Sequence, residues 1–305
     1  MAVVRAPVRR DVRHRSVAGL RAEDRLIRLP DGRRLGFAES GDPGGRPVFF
    51  FHGFGTTRVV CPPDEAARRL GLRLIAVDRP GIGLSDPLPG RRLLDWPADV
   101  AMLADYLDLD DFAVVGWSGG GPYALACGHA LAGRIRSVAA VSSAAPLAAG
   151  ADPAYLRRLD RHAVRAADRA PWVIRLAMWH WGRPQRRDAE RFFERSLADM
   201  CAADQAVLAD TALRSRMIAN STELYRQGGR GMYDEALVLA RPWGFEPAEL
   251  TVQVDVWQGG RDETVPMAMA SHLAAMIPGA RLHMHPDEGH HLLYRHWPEI
   301  LEALR

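Results

Sequence analysis

The chain has 305 residues, 48% hydrophobic and 25% charged, which is enough apolar material for one large domain carrying an insertion or for two modest domains. Its formal charge of +3 and pI near 9.0 are too mild to imply a nucleic-acid partner, and all the basic residues besides histidine are arginine because the sequence holds no lysine. Three widely spaced cysteines (Cys61, Cys127 and Cys201) argue against a disulfide framework or a zinc site, and no run approaches the roughly 20 apolar residues of a membrane span. A reducing, cytoplasmic setting without a membrane partner is therefore expected.

Arginines at positions 5, 9, 10, 13, 15 and 21 make residues 1–24 a basic arm, expected to be flexible. Two short strands, 25–29 and 33–39, flank the turn signal Pro30-Asp31-Gly32. A glycine-rich turn then leads into the apolar run 47–51, read as a strand buried on both faces and ending in His52-Gly53-Phe54-Gly55. A helix near 64–70 and a strand over 72–77 precede Asp78-Arg79-Pro80-Gly81-Ile82-Gly83-Leu84-Ser85-Asp86, and residues 94–107 have helical apolar spacing. The run 112–115 reads as a short buried strand, and the residues after Gly121 favour a helix that tolerates Pro122 in its first turn. A strand over 135–141 is followed by an arginine- and alanine-rich block with helical periodicity and no strand signal. Strands at 252–257 and 280–285 and helices at 266–276 and 297–304 complete the chain. This alternation implies an α/β fold with a mostly parallel, eight-stranded type of sheet covered by helices on both faces. The core is read as residues 25–146 and 247–305, with 147–246 as an inserted helical lid rather than a separate domain.

Gly116-Trp117-Ser118-Gly119-Gly120 lies between the 112–115 strand and the following helix. A serine in that setting sits on a tight turn from which flanking glycines remove colliding side chains. Its hydroxyl is pushed above the sheet, beside a helix N-terminus. Glycine–serine strings occur by chance in a chain with 28 glycines, so the strand and helix on either side carry the inference.

A serine hydroxyl is a weak nucleophile near neutral pH and needs a base, for which histidine is suited by its pKa. A buried carboxylate would then fix the imidazole tautomer and stabilise its cation. In parallel sheets functional groups gather beyond the carboxyl ends of strands. The loop after the 252–257 strand offers Asp262, with Glu263 as a substitute and a helix cap as the plainer role. The loop after the last strand offers His290 or His291, with His290 favoured directly after Gly289. For the negative charge of a tetrahedral intermediate, the N–H of Gly119 is one donor and that of Phe54 the expected second. Phe54 and Trp117 are the best-supported pocket residues. The aromatics of the insertion (Trp172, Trp179, Trp181, Phe192, Phe193, Tyr225, Tyr233 and Trp243) are expected to be mostly core. His283 and His285 share a strand face, but no further ligand is spaced to complete a metal site, so neither a metal nor a cofactor is expected.

These motifs together resemble the α/β-hydrolase family over about residues 25–146 and 247–305, through His52-Gly53, the Asp78–Asp86 stretch, the Ser118 turn, Gly260-Arg261-Asp262 and Gly289-His290. The resemblance implies a Ser118–Asp262–His290 triad in this fold's chain order. It makes the insertion a cap that covers the pocket, and the Asp78–Asp86 stretch a brace of the active site without a chemical role. Relatives with an aspartate nucleophile, the dehalogenases and epoxide hydrolases, are disfavoured by the serine. Peptide cleavage of the proline-iminopeptidase type is a distant option. Cofactor-free haloperoxidases and C–C bond hydrolases share the triad and stay open. The expected function is hydrolysis of a small to medium apolar ester, lactone or thioester. The alternatives are a tailoring enzyme of secondary metabolism (cyclisation, acyl transfer or C–C cleavage) and a small-molecule receptor on the same scaffold.

Overall fold

The computed structural model describes residues 24–147 and 158–305. The strands β1 (Asp24–Arg28), β2 (Arg34–Gly41), β3 (Arg46–Phe51), β4 (Leu72–Val77), β5 (Phe112–Trp117), β6 (Ile135–Val141), β7 (Gln253–Gly259) and β8 (Arg281–His285) form one sheet. Their spatial order is β1-β2-β4-β3-β5-β6-β7-β8. β2 runs antiparallel to both β1 and β4, and every other neighbouring pair is parallel. The expected basic arm lies outside the described residues apart from Asp24, which opens β1.

The central strands are apolar in continuous runs because helices cover both faces of the sheet. Alternation along β3 divides the core in two. Phe49 and Phe51 point to the face covered by α2 (Trp96–Tyr106) and α3 (Gly121–Ala130). Val48 and Phe50 point to the opposite face, with α1 (Glu65–Arg69) and the C-terminal α12 (Trp297–Ala303). Phe51 meets Trp96 edge-on at 5.3 Å and Phe50 meets Trp297 edge-on at 6.2 Å, so one strand anchors a helix on each side. Beside them, α10 (Met267–Met276) packs on β7 and β8.

Between β6 and β7 the chain forms six helices among the described residues: α4 (Arg158–Arg169), α5 (Pro171–Arg187), α6 (Ala189–Ala198), α7 (Ala202–Leu208), α8 (Thr211–Leu224) and α9 (Arg230–Ala240). Residues 148–157 of the expected insertion fall outside the described set. No described helix is long and apolar enough to cross a membrane. A four-residue helix, α11 (Leu292–Arg295), follows the last loop and was not anticipated from sequence.

A buried ion cluster seats the insertion on the core. The Arg58 guanidinium, 1% exposed, pairs with Asp24 at 2.6 Å, with Asp78 at 2.6 Å and with Glu223 of α8 at 2.5 Å. Removing the cation would leave three carboxylates facing one another out of water. Arg58→Ala is expected to lower unfolding stability by about 3–5 kcal/mol, measured by urea denaturation. A loss below about 1 kcal/mol would contradict this account of the cluster.

Candidate active site

Ser118 has φ +55°, in the left-handed region that non-glycine residues seldom occupy. It directly follows β5 and opens a single 3₁₀ turn, Ser118–Gly120, that runs into α3. The turn is closed so tightly that side chains cannot flank it. A Cβ at Gly116 would lie 2.3 Å from the Gly120 carbonyl oxygen, and one at Gly120 would lie 2.2 Å from that of Phe51. The glycines two before and two after the serine are therefore steric requirements of the turn.

The last two sheet strands deliver the partners. His290 follows β8, and its Nε2 lies 2.9 Å from Ser118 Oγ. Its Nδ1 lies 2.8 Å from Asp262 Oδ2. Asp262 follows β7 and is itself held. Its Oδ1 accepts from the N–H groups of Thr264 and Val265, both at 2.8 Å, and Oδ2 accepts from Gln258 Nε2 at 3.2 Å. Three donors to one carboxylate fix its orientation. Of the alternatives, Glu263 is exposed to solvent. His291 turns away, its Nδ1 lying 3.2 Å from Asp204.

The loop after β3 closes over the serine turn. An added Cβ at Gly119 would lie 2.9 Å from the Phe54 nitrogen and 3.2 Å from Leu239 of α9, so Gly119 and Phe54 meet backbone to backbone. Arg79 holds this loop from behind. Its guanidinium donates to the His52 carbonyl at 2.5 Å and the Gly53 carbonyl at 3.0 Å, stacks 4.6 Å from the Tyr123 ring and pairs with Glu235 of α9. Burial, together with the adjacent Arg79 cation, drives the His52 imidazole well below its ordinary pKa, so it stays neutral. Arg79 thus carries the brace expected of the Asp78–Asp86 stretch.

Trp117 is buried behind His290, its ring 5.5 Å from the imidazole and its Nε1 donating 3.1 Å to the His290 carbonyl. Phe54 is half-buried and packs 6.2 Å from Trp181, next to Ile82, Leu224 and Met232. The insertion aromatics divide. Phe193 and Trp243 are core, whereas Trp172 and Trp179 stand 66% and 51% exposed and belong to neither core nor site. His283 and His285 stack on Trp257 at 4.0 and 5.7 Å, and His283 pairs with Asp255. Among the described residues, the group with ligand atoms close enough for a metal is His285, His296 and Glu299, all within 4.8 Å. His296 and Glu299 come from another segment, so strand spacing could not reveal the group.

Sequence reasoning also missed Asp204 and Ser142. Asp204, on α7, accepts from the N–H groups of His290 (3.0 Å) and His291 (2.7 Å). Burial alone would raise its pKa, but the His291 side chain and both N–H donors outweigh it and bring the carboxyl down to about 2. Ser142, at φ +44° beyond β6, donates its hydroxyl 3.1 Å to the His290 carbonyl. Neither has a local motif, because each acts on a residue about 90 to 150 positions away.

Comparison with known proteins agrees with this architecture. The α/β hydrolase fold family model matches residues 46–296. The chain belongs to the α/β-hydrolase family. It is 30% identical over 263 residues, 85% of its length, to the dihydrolipoyllysine-residue acetyltransferase component of the acetoin cleaving system of Pseudomonas putida, of which the match covers 62%. It is 33% identical over 133 residues, 41% of its length, to a non-heme chloroperoxidase of Streptomyces lividans, of which the match covers 47%. The chain thus spans roughly three-fifths and half of these two relatives. An esterase structure from Exiguobacterium antarcticum superposes with a TM-score of 0.67 at 19% identity, covering 92% of this chain and 97% of that one.

The Asp204 carboxyl titrates below its ordinary value of 3.8, so its stabilising effect is complete above that pH and is lost as pH falls toward 2. Asp204→Asn is expected to be less stable than wild type near neutrality, with the gap closing between about pH 4 and pH 2. Urea denaturation across that range checks this, and a gap independent of pH would contradict it.

Proposed function

We propose that the protein is a cofactor-independent serine hydrolase that cleaves a carboxylic ester, or a lactone or thioester, of a small to medium apolar substrate through an acyl-enzyme. The observation that carries this reading is the unbroken chain Asp262–His290–Ser118, with contacts of 2.8 and 2.9 Å. In this reading Ser118 Oγ attacks the substrate carbonyl carbon while His290 Nε2 takes its proton. Asp262, held by three donors of its own, keeps Nδ1–H pointed at itself and stabilises the imidazolium.

The carbonyl oxygen gains negative charge as the tetrahedral intermediate forms, and the N–H groups of Gly119 and Phe54 are assigned to receive it. Arg79 supports that assignment by fixing the carbonyls of His52 and Gly53, which sets the peptide planes leading into Phe54. Collapse of the intermediate expels the alcohol or thiol, which takes the proton from His290 and leaves the acyl group on Ser118. His290 then activates water, and a second tetrahedral intermediate releases the acid.

An apolar substrate is favoured by Leu239 over Gly119 and by the Phe54 cluster with Ile82, Leu224 and Met232. In this reading Trp117 acts behind His290, so Phe54 is the more direct pocket residue. The helical insertion serves as the cap. The esterase name of a structural neighbour agrees with the reaction class.

Ser118→Ala is expected to fold and to lower ester turnover at least about 10³-fold, measured with p-nitrophenyl esters of increasing acyl length. Turnover by a folded Ser118→Ala at the wild-type rate would overturn the proposal.

A further inference from the structure

Both backbone polar groups of His290 are tied down. Its carbonyl accepts from Trp117 Nε1 and Ser142 Oγ, both at 3.1 Å, and these donors belong to the sheet core. Its N–H is held instead by the insertion. Asp204 of α7 accepts from His290 through Oδ2 at 3.0 Å and from His291 through Oδ1 at 2.7 Å. The His291 ring adds a contact of 3.2 Å to Oδ1, and the Cys201 thiol lies 3.5 Å from Oδ2. The carboxylate fits so closely that a Cβ on Gly289 would lie 2.5 Å from it. Gly289 is therefore required by the close approach of α7.

We propose that Asp204 is a positioning residue for His290, so that the base reaches Ser118 in working geometry only while α7 of the insertion is seated on the loop. This inference rests on the hydrolase reading above. The physical reason lies in what the loop would lose. Without the carboxylate, two successive N–H groups at a buried site have no acceptor, and the loop gains by moving until water satisfies them. Such a movement carries the imidazole with it. Proton transfer depends on the 2.9 Å contact between His290 Nε2 and Ser118 Oγ, and a displacement of about 1 Å at a reacting group can cost about 10²-fold in rate. The tie also makes the insertion part of the catalytic assembly: lifting α7 to admit substrate would loosen the base, and reseating it would restore the base.

The test compares wild type with Asp204→Ala, which removes both acceptor oxygens, and Gly289→Ala, the second variant pressing on the same contact from the loop side while keeping the carboxylate. Hydrogen exchange is followed over residues 286–293, and ester kinetics are measured on the same samples. In both variants the loop is expected to exchange faster, with β3 and β5 unchanged. The expected kinetic signature is a fall in kcat of about 10- to 100-fold with KM within about twofold, because substrate binding is spared while the base is misplaced. An anchor that only stabilises the fold would lower the melting temperature and leave kcat intact, which would overturn the proposal. So would unchanged exchange across 286–293. Wild-type turnover that does not depend on Ser118 would remove the hydrolase reading, while the exchange data would still decide whether Asp204 holds the loop.

Discussion

The active-site architecture depends on holding Ser118 in a left-handed backbone conformation that costs of order 1–3 kcal/mol. The serine keeps this conformation because the surroundings leave no alternative. β5 arrives buried on both faces, the turn closes with carbonyl oxygens where Cβ atoms would sit, and α3 departs at once. That turn lifts the hydroxyl off the sheet toward the loops after β3, β7 and β8. Each of those loops then needs its own support, because a loop alone does not hold a side chain to a few tenths of an ångström.

Much of that support comes from the insertion. Glu223 of α8 meets Arg58, Glu235 of α9 meets Arg79, and Asp204 of α7 meets the backbone of His290 and His291. Each is a buried carboxylate from the helical block reaching a donor of the core. Burying charge is costly unless it is fully paired, so these contacts disfavour partial docking: the block is seated with its charges met, or its carboxylates must return to water. The loop after β3 and the His290 loop therefore share a dependence on the same group of helices.

The sheet was largely legible in the sequence because its signals are local. Apolar runs such as 47–51 and 135–141 are bounded by turn residues; the structure starts the first one residue earlier, at Arg46, and gives the second the same bounds. Ser118, Asp262 and His290, which the structure brings together, each lie in a distinctive glycine-bearing stretch at a strand's carboxyl end, so the sequence could single them out as candidates. The choice of Asp262 over Glu263 agrees with their burial, and the choice of His290 over His291 agrees with their contacts. Asp204, Glu235 and Ser142 were invisible for the opposite reason. An aspartate on an alanine-rich helix looks like any solvated residue until folding carries it to a backbone 86 positions away. The exposed Trp172 and Trp179 make the same point in reverse, since helical spacing suggested burial that the insertion does not provide.

The proposed reaction requires Ser118 to be an activated nucleophile. Intact-mass analysis after treatment with a small fluorophosphonate tests it most directly, comparing wild type with Ser118→Ala and His290→Ala. A single adduct is expected on wild type, none on Ser118→Ala and much slower labelling of His290→Ala. A folded wild-type protein that stays unlabelled, or an adduct that persists on Ser118→Ala, would contradict it.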